Sequence, residues 1–229
     1  MKRMKPYNII VLLLVALTFL MSLAFYNYLP DTMVSHWDIS GNPNGYMPKE
    51  TDLLLLPLIG AAIVFLLFFI PRIDPLKKNI KKFQSHYELF IVNFAVFFLY
   101  IHTITILINM GVDFNLIQAM SIGLAVLLYS LGSLVGAAKR NYFIGIRTPW
   151  TLDCDEIWDK THRLGGKLFK ACAVITLFGA AFPSIALLFT LASIIVVAIF
   201  LVAYSYFEYK KLHWKTKKPS KGKKKKRKK

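Results

Sequence analysis

Long apolar runs alternate with short polar segments along the first 138 residues. Four of these runs are long enough to be transmembrane helices, at Tyr7–Tyr28, Leu53–Ile70, Leu89–Met110 and Leu116–Ala138. A bilayer core about 30 Å thick needs roughly 20 helical residues, which matches their length. The first run ends in bulky aromatic residues and shows no small-x-small cleavage site, so we expect it to be a retained span rather than a signal peptide.

A further apolar stretch covers residues 168–207. As a helix it would be about 60 Å long, roughly twice the thickness of the bilayer core. It must therefore fold back, and Gly179 and the Pro183-Ser184 pair mark the predicted turn. The predicted fold class is an all-α integral membrane protein, a six-transmembrane-helix bundle.

Positive charge is strongly segregated between the two sets of connecting segments. The net charge is +17, and 28 of the 29 Lys and Arg residues fall in the termini and in alternate connections, whereas Lys49 alone falls in the other set. Because Lys and Arg accumulate in cytoplasmic loops, this distribution predicts cytoplasmic N- and C-termini. It places the 29–52 loop outside the cell.

The C-terminal segment 210–229 contains 13 basic residues and no acidic residue. We predict a disordered polybasic tail held near anionic lipid, and we expect no direct binding of nucleic acid. The predicted divisions are residues 1–85 (two spans and the outer loop), residues 86–209 (four spans) and the tail.

The polar segment 139–167, KRNYFIGIRTPWTLDCDEIWDKTHRLGGK, joins spans four and five. Its charges and turn residues exclude a lipid-facing helix, so we expect it to lie at the membrane surface. Pro149 should hold Thr148 in an extended conformation. We predict a short surface helix that begins with Asp153 as N-cap and Glu156 three residues later, and that ends at Gly165–Gly166.

On that predicted helix Trp158, Thr161 and His162 share one face. Arg147, His162 and Arg163 are candidates for binding a phosphate or a lipid head group. Alternatively, the Arg residues anchor the loop to the inner leaflet, with Trp150 and Trp158 at the membrane interface. Both interpretations remain open.

The outer loop contains His36-Trp37-Asp38 followed by Gly41-Asn-Pro-Asn-Gly45. Its alternating oxygen-bearing residues resemble the start of a calcium loop, but Pro43 stands where that loop needs Gly and Lys49 where it needs Glu. We therefore predict a turn-rich cap over the bundle and no metal site. A ligand-binding role for His36 stays open.

Span three carries a stripe of polar side chains at helical spacing. Its members are Asn93, His102, Thr105 and Asn109. Bonding to neighbouring helices is the favoured interpretation, and a polar path through the membrane is the alternative. In span four, Gly132 and Gly136 form a small-xxx-small pattern that predicts close helix packing.

The sequence contains no phosphate-binding Gly loop, nucleophile elbow or HExxH motif, and no enzymatic activity or cofactor is predicted. Paired intramembrane carboxylates, typical of ion-coupled pumps, are also lacking. The two cysteines, Cys154 and Cys172, are predicted to be free thiols.

The central segment resembles the signature of the SdpI family of immunity membrane proteins. The resemblance rests on Asn141-Tyr-Phe-Ile-Gly-Ile-Arg-Thr-Pro-Trp-Thr-Leu, Trp158, Thr161-His162-Arg163 and Gly166-Lys167. The outer loop is similar to an N-terminal domain of unknown function common in that family, through Leu29-Pro30-Asp31, His36-Trp37, Gly41, Pro43 and Gly45-Tyr46.

The resemblance implies a non-enzymatic protein that protects a cell from a secreted peptide toxin and couples to a cytoplasmic repressor. The implied outer binding residues are His36, Trp37, Asp38, Gly41, Pro43 and Tyr46. The implied cytoplasmic residues are Asn141, Gly145, Arg147, Thr148, Pro149, Trp150, Trp158, His162, Arg163 and Gly166. The alternative hypothesis is a small transporter or lipid-handling protein that uses the polar stripe of span three.

Overall fold

The computed structural model describes residues 5–113 and 115–217, and most of them are helical. Within these ranges eight α-helices follow one another: α1 (Pro6–Phe25), α2 (Lys49–Ile73), α3 (Lys77–Ile80), α4 (Gln84–Asn109), α5 (Leu116–Ala137), α6 (Pro149–Asp153), α7 (Asp155–Gly179) and α8 (Pro183–Lys217). The 29–52 loop adds two short antiparallel strands, β1 (Thr32–Trp37) and β2 (Pro43–Pro48), which the all-α prediction did not include.

Five helical segments in the described ranges are long and apolar enough to cross a membrane: Pro6–Tyr28, Lys49–Ile73, Lys77–Asn109, Leu116–Ala137 and Pro183–Trp214. The four N-terminal spans of the prediction each fall within one of them, apart from one residue at the C-terminal end of the third and of the fourth. The fifth predicted span corresponds to α7, whose apolar part covers only residues 168–179, and the sixth corresponds to α8. Because its first half is polar, α7 does not meet the same criterion.

The long helices pack around α4 and α7. α4 packs against α1, α2 and α5, while α7 lies against α5 and α8. The turn between α7 and α8 occupies residues 180–182, where the sequence predicted the chain to fold back. Helix α8 continues to Lys217, so the first eight residues of the predicted disordered tail are helical, and residues 218–229 lie outside the described ranges.

Two prolines, Pro57 and Pro71, lie inside α2 without ending it. Each lacks an N–H group, so the carbonyl four residues earlier loses its helical donor. Side chains of neighbouring helices replace the missing donors. The Ser22 hydroxyl donates to the Leu53 carbonyl at 2.8 Å, and the Tyr87 hydroxyl donates to the Leu67 carbonyl at 2.6 Å.

Candidate functional site

The β-hairpin of the outer loop is organised by Asp38. Its carboxylate accepts hydrogen bonds from the backbone N–H groups of Ser40 (2.8 Å) and Asn42 (2.9 Å). These bonds, chiefly those from Asn42, lower the pKa of Asp38. Gly41 completes the turn at a φ of +88°, a conformation that favours glycine. Asp38 is therefore a turn former and its oxygens are already engaged.

The hairpin is attached to the bundle through α4. The Asn109 side chain accepts from the Val34 N–H at 2.7 Å and donates to the Val34 carbonyl at 3.1 Å. It thus makes the two backbone hydrogen bonds to β1 that a residue of a neighbouring strand would make. Trp37 packs beside a cluster that includes Ile104 and Leu116, and the hairpin is held on the helix ends by both polar and apolar contacts.

The opposite face of the hairpin is open. Tyr46 and Ile39 are 63% and 67% exposed, and His36 is exposed with Nδ1 at 2.5 Å from the Asn44 side-chain oxygen. His36 and Tyr46 thus present polar aromatic groups outward, whereas Trp37 faces the bundle. Of the six predicted outer residues, Asp38, Gly41 and Pro43 shape the hairpin, and His36 and Tyr46 are available to a partner.

In the central segment, Asn141 closes the loop that follows α5. It is fully buried, and its side-chain oxygen accepts from the N–H groups of Phe143 (2.9 Å) and Ile144 (2.6 Å). Its amide group donates to the carbonyls of Lys139 and Ile144, both at 2.8 Å. Because every donor and acceptor of the Asn141 side chain is used inside the loop, this side chain stabilises the loop conformation.

Two residues outside the signature also hold this loop, and the sequence analysis did not identify them. Asp74 is buried and accepts from the N–H groups of Tyr142 (2.9 Å) and Leu76 (2.6 Å). Asn79 donates to the Arg140 carbonyl at 2.8 Å. The Asp74-Pro75 pair was the available signal, since Asp before Pro favours a turn.

The Arg-Thr-Pro-Trp corner ends in a capped helix. Thr148 is extended (φ −106°, ψ 161°), as predicted, and forms a reciprocal capping box with Thr151 at the start of α6. Its hydroxyl also lies 3.0 Å from that of Ser205 on α8. Pro149 occupies the first turn of α6, where its missing N–H removes no helical hydrogen bond.

Trp158 and His162 form the buried centre of the segment. Their rings stack at 3.9 Å with an interplanar angle of 12°, and the Trp158 indole donates to the Ala138 carbonyl at 2.8 Å. His162 Nε2 accepts the Ile146 N–H at 2.9 Å, so Nδ1 must carry the proton that bonds the Trp158 carbonyl at 2.8 Å. His162 is therefore a neutral imidazole with both nitrogens engaged.

His162 and Trp158 are 1% and 0% exposed. The prediction that His162 binds a phosphate or lipid head group is thus wrong, because no ring nitrogen is free. Trp158 is buried inside the fold, and Trp150 is half-buried against Tyr206.

Helix α7 begins and ends differently from the predicted surface helix. Its N-cap is Cys154, because Asp153 is the last residue of α6 and accepts a bond from the Tyr209 hydroxyl. Gly165 and Gly166 do not end the helix. They lie within α7 where it meets α5, and a β-carbon on Gly166 would be 2.7 Å from the Gly136 Cα. The close packing predicted for Gly132 and Gly136 is confirmed, with Gly166 as their partner.

The two arginines of the signature, Arg147 and Arg163, have different surroundings. Arg147 donates to the Tyr142 carbonyl at 2.6 Å and is otherwise exposed. Arg163 lines a basic cavity beside α5. The exposed side of the segment also carries Tyr142 and Phe143, which are 49% and 39% exposed.

Three of the four predicted polar residues of α4 are bonded to neighbouring elements, whereas the Thr105 hydroxyl donates to the Ile101 carbonyl of its own helix. Asn93 donates to Ser130 on α5 at 3.0 Å, and Asn109 holds β1. His102 Nε2 lies 2.8 Å from the Ser22 hydroxyl, which itself donates to the carbonyl released by Pro57. His102 is 1% exposed, which favours its role in packing over a polar path.

The sequence comparisons agree with this arrangement. Residues 137–205 match the model of the SdpI/YfhL protein family, and residues 13–61 match a domain of unknown function, DUF1648. The chain is 28% identical over 208 residues to the immunity protein SdpI of Bacillus subtilis (strain 168), which covers 90% of this chain and 97% of the relative. No solved structure matches the chain.

The DUF1648 match contains the hairpin, and the SdpI/YfhL match contains the Asn141 loop, α6, α7 and the first part of α8. The apolar helices together with this similarity identify a multi-pass protein of the cell membrane. The resemblance found in the sequence is confirmed: the chain carries an SdpI/YfhL family region preceded by a DUF1648 region.

Proposed function

We propose that this chain is a non-enzymatic membrane immunity protein that neutralises a membrane-active peptide at its outer hairpin. The similarity to an immunity protein over 90% of the chain carries the proposal. The shape of the hairpin supports it, because His36 and Tyr46 face outward on a base that Asn109 and Trp37 fix to the helices. Such a rigid aromatic surface binds a partner with little loss of conformational entropy.

The proposed topology has six crossings and cytoplasmic termini. Five crossings would leave the two termini on opposite sides of the membrane and expose the basic C-terminus outside, against the distribution of Lys and Arg. α7 is 25 residues long, about 37 Å. It is joined to α8 by a three-residue turn and packs along it, and Gly165 in its polar half lies close to Val135 of α5 and Leu201 of α8. These features support α7 as the remaining crossing.

We assign contact with a cytoplasmic regulator to the exposed side of the central segment, formed by Tyr142, Phe143 and Arg147. The buried signature residues shape this side, since Asn141 and His162 bond its backbone. A photocrosslinking residue in place of Tyr142 is expected to capture a cytoplasmic protein in peptide-treated cells, whereas one in place of Lys82 is not. Equal yields at the two positions would contradict this assignment.

Survival under peptide challenge tests the main proposal. In a susceptible bacterium that expresses this chain, His36→Ala and Tyr46→Ala are expected to lower protection by at least about tenfold, the equivalent of about 1.4 kcal/mol of binding. Membrane levels should not change, because both side chains are exposed. Lys82→Ala, on the opposite side in the proposed topology, is the control. Full protection by both hairpin variants would rule out the outer site.

Topology is tested with an impermeant maleimide on intact cells. Cys154→Ser and Cys172→Ala first remove the two native thiols, both of them free. Asp38→Cys is then expected to react and Asp155→Cys to react only after the cells are opened. Reaction of both positions in intact cells would refute the proposed orientation.

A further inference from the structure

A cluster of cations on α7 has no acidic partner. Arg163, Lys167 and Lys170 are spaced at i, i+4 and i+7, so they share one face of the helix. Within the described ranges none of them forms an ion pair, whereas Lys139, Arg140 and Lys160 in the same segment pair with Asp159, Asp155 and Glu208 respectively. The acids of this segment are thus engaged elsewhere, and this face keeps its positive charge.

These cations line a cavity of about 280 Å³ together with His86 at the start of α4 and the Gly132–Gly136 end of α5. Because the glycines bring α5 and α7 together, the floor of the cavity is backbone and its walls are the long basic side chains. Such a site presents several donors to one anionic group. The absence of a carboxylate in its lining distinguishes it from an internal ion-pair network.

An apolar groove of about 460 Å³ continues from this cavity. The two share Ser133, and the groove runs between α4, α5 and α7 past Leu89, Ile122, Val126 and Leu177. At the junction the Lys170 ammonium lies 4.9 Å from the centre of the Tyr129 ring. From Ser133 to Ile122 the groove follows eleven residues of α5, about 16 Å. This is close to the thickness of one leaflet, about half of a 30 Å core.

We propose that this cavity and groove form a binding site for one anionic phospholipid. The phosphate-bearing head group contacts Arg163, Lys167 and Lys170, and an acyl chain lies in the groove along Val126. A soluble phosphate would use the cations alone, so the contiguous apolar groove favours the lipid. The site is independent of the hairpin, and its occupancy would stabilise the contact between α5 and α7.

The test uses the full chain in detergent, with bound lipid counted by native mass spectrometry and unfolding followed on heating. Phosphatidylglycerol is the probe, with phosphatidylcholine and glycerol 3-phosphate for comparison. The triple variant R163Q/K167Q/K170Q is expected to lose at least about tenfold of the preference for phosphatidylglycerol, since each basic residue near an anionic head group strengthens its binding.

Two further variants test whether general surface charge explains the binding and whether the groove is needed. K77Q/K78Q/K82Q removes the same charge from three exposed lysines elsewhere and should keep the preference within about twofold, with the basic tail unchanged in both proteins. Val126→Trp fills the groove without changing charge, and it should weaken phosphatidylglycerol binding while leaving the lipid-free unfolding midpoint unchanged.

Equal losses in the two triple variants would overturn the proposal, because general surface charge would then explain the binding. It would also be overturned if glycerol 3-phosphate protected as well as the lipid and Val126→Trp had no effect. If the first triple variant unfolds without lipid, the comparison is made with Lys167→Gln and Val126→Trp, which must then both weaken binding for the proposal to stand.

Discussion

The hydroxyl group of Ser22 on α1 donates a hydrogen bond of 2.8 Å to the Leu53 carbonyl on α2. That carbonyl needs the bond because Pro57, four residues later, has no N–H to offer. His102 of α4 bonds the same hydroxyl, so three helices meet at one released backbone acceptor. In a bilayer core no water can take this place, and the cluster therefore explains a buried histidine without assigning it a ligand.

This relationship predicts a strong coupling between Ser22 and Pro57. Ser22→Ala should lower the free energy of unfolding by about 1–3 kcal/mol, because the Leu53 carbonyl is left without a donor. In a Pro57→Ala background the restored N–H bonds that carbonyl, and the cost of Ser22→Ala should fall below about 1 kcal/mol. Unfolding of the four proteins in detergent measures the coupling.

Ser121→Ala is the control for that cycle, since its hydroxyl donates to the Ile117 carbonyl within a helix that contains no proline near it. Its cost should be the same in both backgrounds. An equal cost of Ser22→Ala with and without Pro57 would contradict the proposed role.

Gly145 lies against the Nε2 edge of His162 with a φ of +114°, and an added β-carbon would overlap that nitrogen. Gly145→Ala should therefore combine backbone strain with overpacking and cost about 3 kcal/mol or more. For a chain of this size each kcal/mol lowers the midpoint of thermal unfolding by about 2–4 °C, so the midpoint should fall by roughly 6–12 °C.

Gly111→Ala is the matched control, because Gly111 has a φ of +90° but open space where the β-carbon would be. Its cost should be limited to the strain of about 1–2 kcal/mol. Similar midpoints for the two variants would mean that contact with His162 is unimportant.

The close approach of α5 and α7 depends on Gly166. Gly166→Ala would place a β-carbon 2.7 Å from the Gly136 Cα and 2.8 Å from the Gly132 carbonyl oxygen. The helices must then separate, at a cost of about 1–3 kcal/mol. Gly136→Ala should be tolerated, since its β-carbon would be 3.6 Å from Gly166. Thermal unfolding of both variants tests this asymmetry, and a greater loss for Gly136→Ala would disprove it.

Asn109 is expected to control the hairpin specifically. Asn109→Ala removes both side-chain bonds to Val34, so amide exchange in Thr32–Trp37 should accelerate by about tenfold or more, while the middle of α4 is unaffected. Thr105→Val is the control, because the Thr105 hydroxyl donates only to the Ile101 carbonyl of its own helix. Unchanged exchange in Asn109→Ala would show that the Trp37 contacts alone hold the hairpin.

Local sequence features predicted several parts of the fold. The turn at residues 180–182, the extended Thr148 before Pro149 and the shared face of Trp158, Thr161 and His162 follow from short-range geometry. The prediction failed at Gly165–Gly166. A glycine pair is equally compatible with a helix end and with a helix contact, and only the presence of α5 opposite it decides between them.

The sequence by itself determined the apolar runs, their turns and the one-sided placement of Lys and Arg, because span length and turn preference depend on neighbouring residues. Only the tertiary structure decided which polar groups are available to a partner. The side chains of His162, Asn141 and Asn109 accept hydrogen bonds from the backbone N–H groups of Ile146, Ile144 and Val34 respectively. The cations Arg163, Lys167 and Lys170, in contrast, meet no acid among the described residues. Whether a polar side chain finds a hydrogen-bond partner depends on which distant groups the fold brings next to it. No local pattern in the chain encodes these contacts.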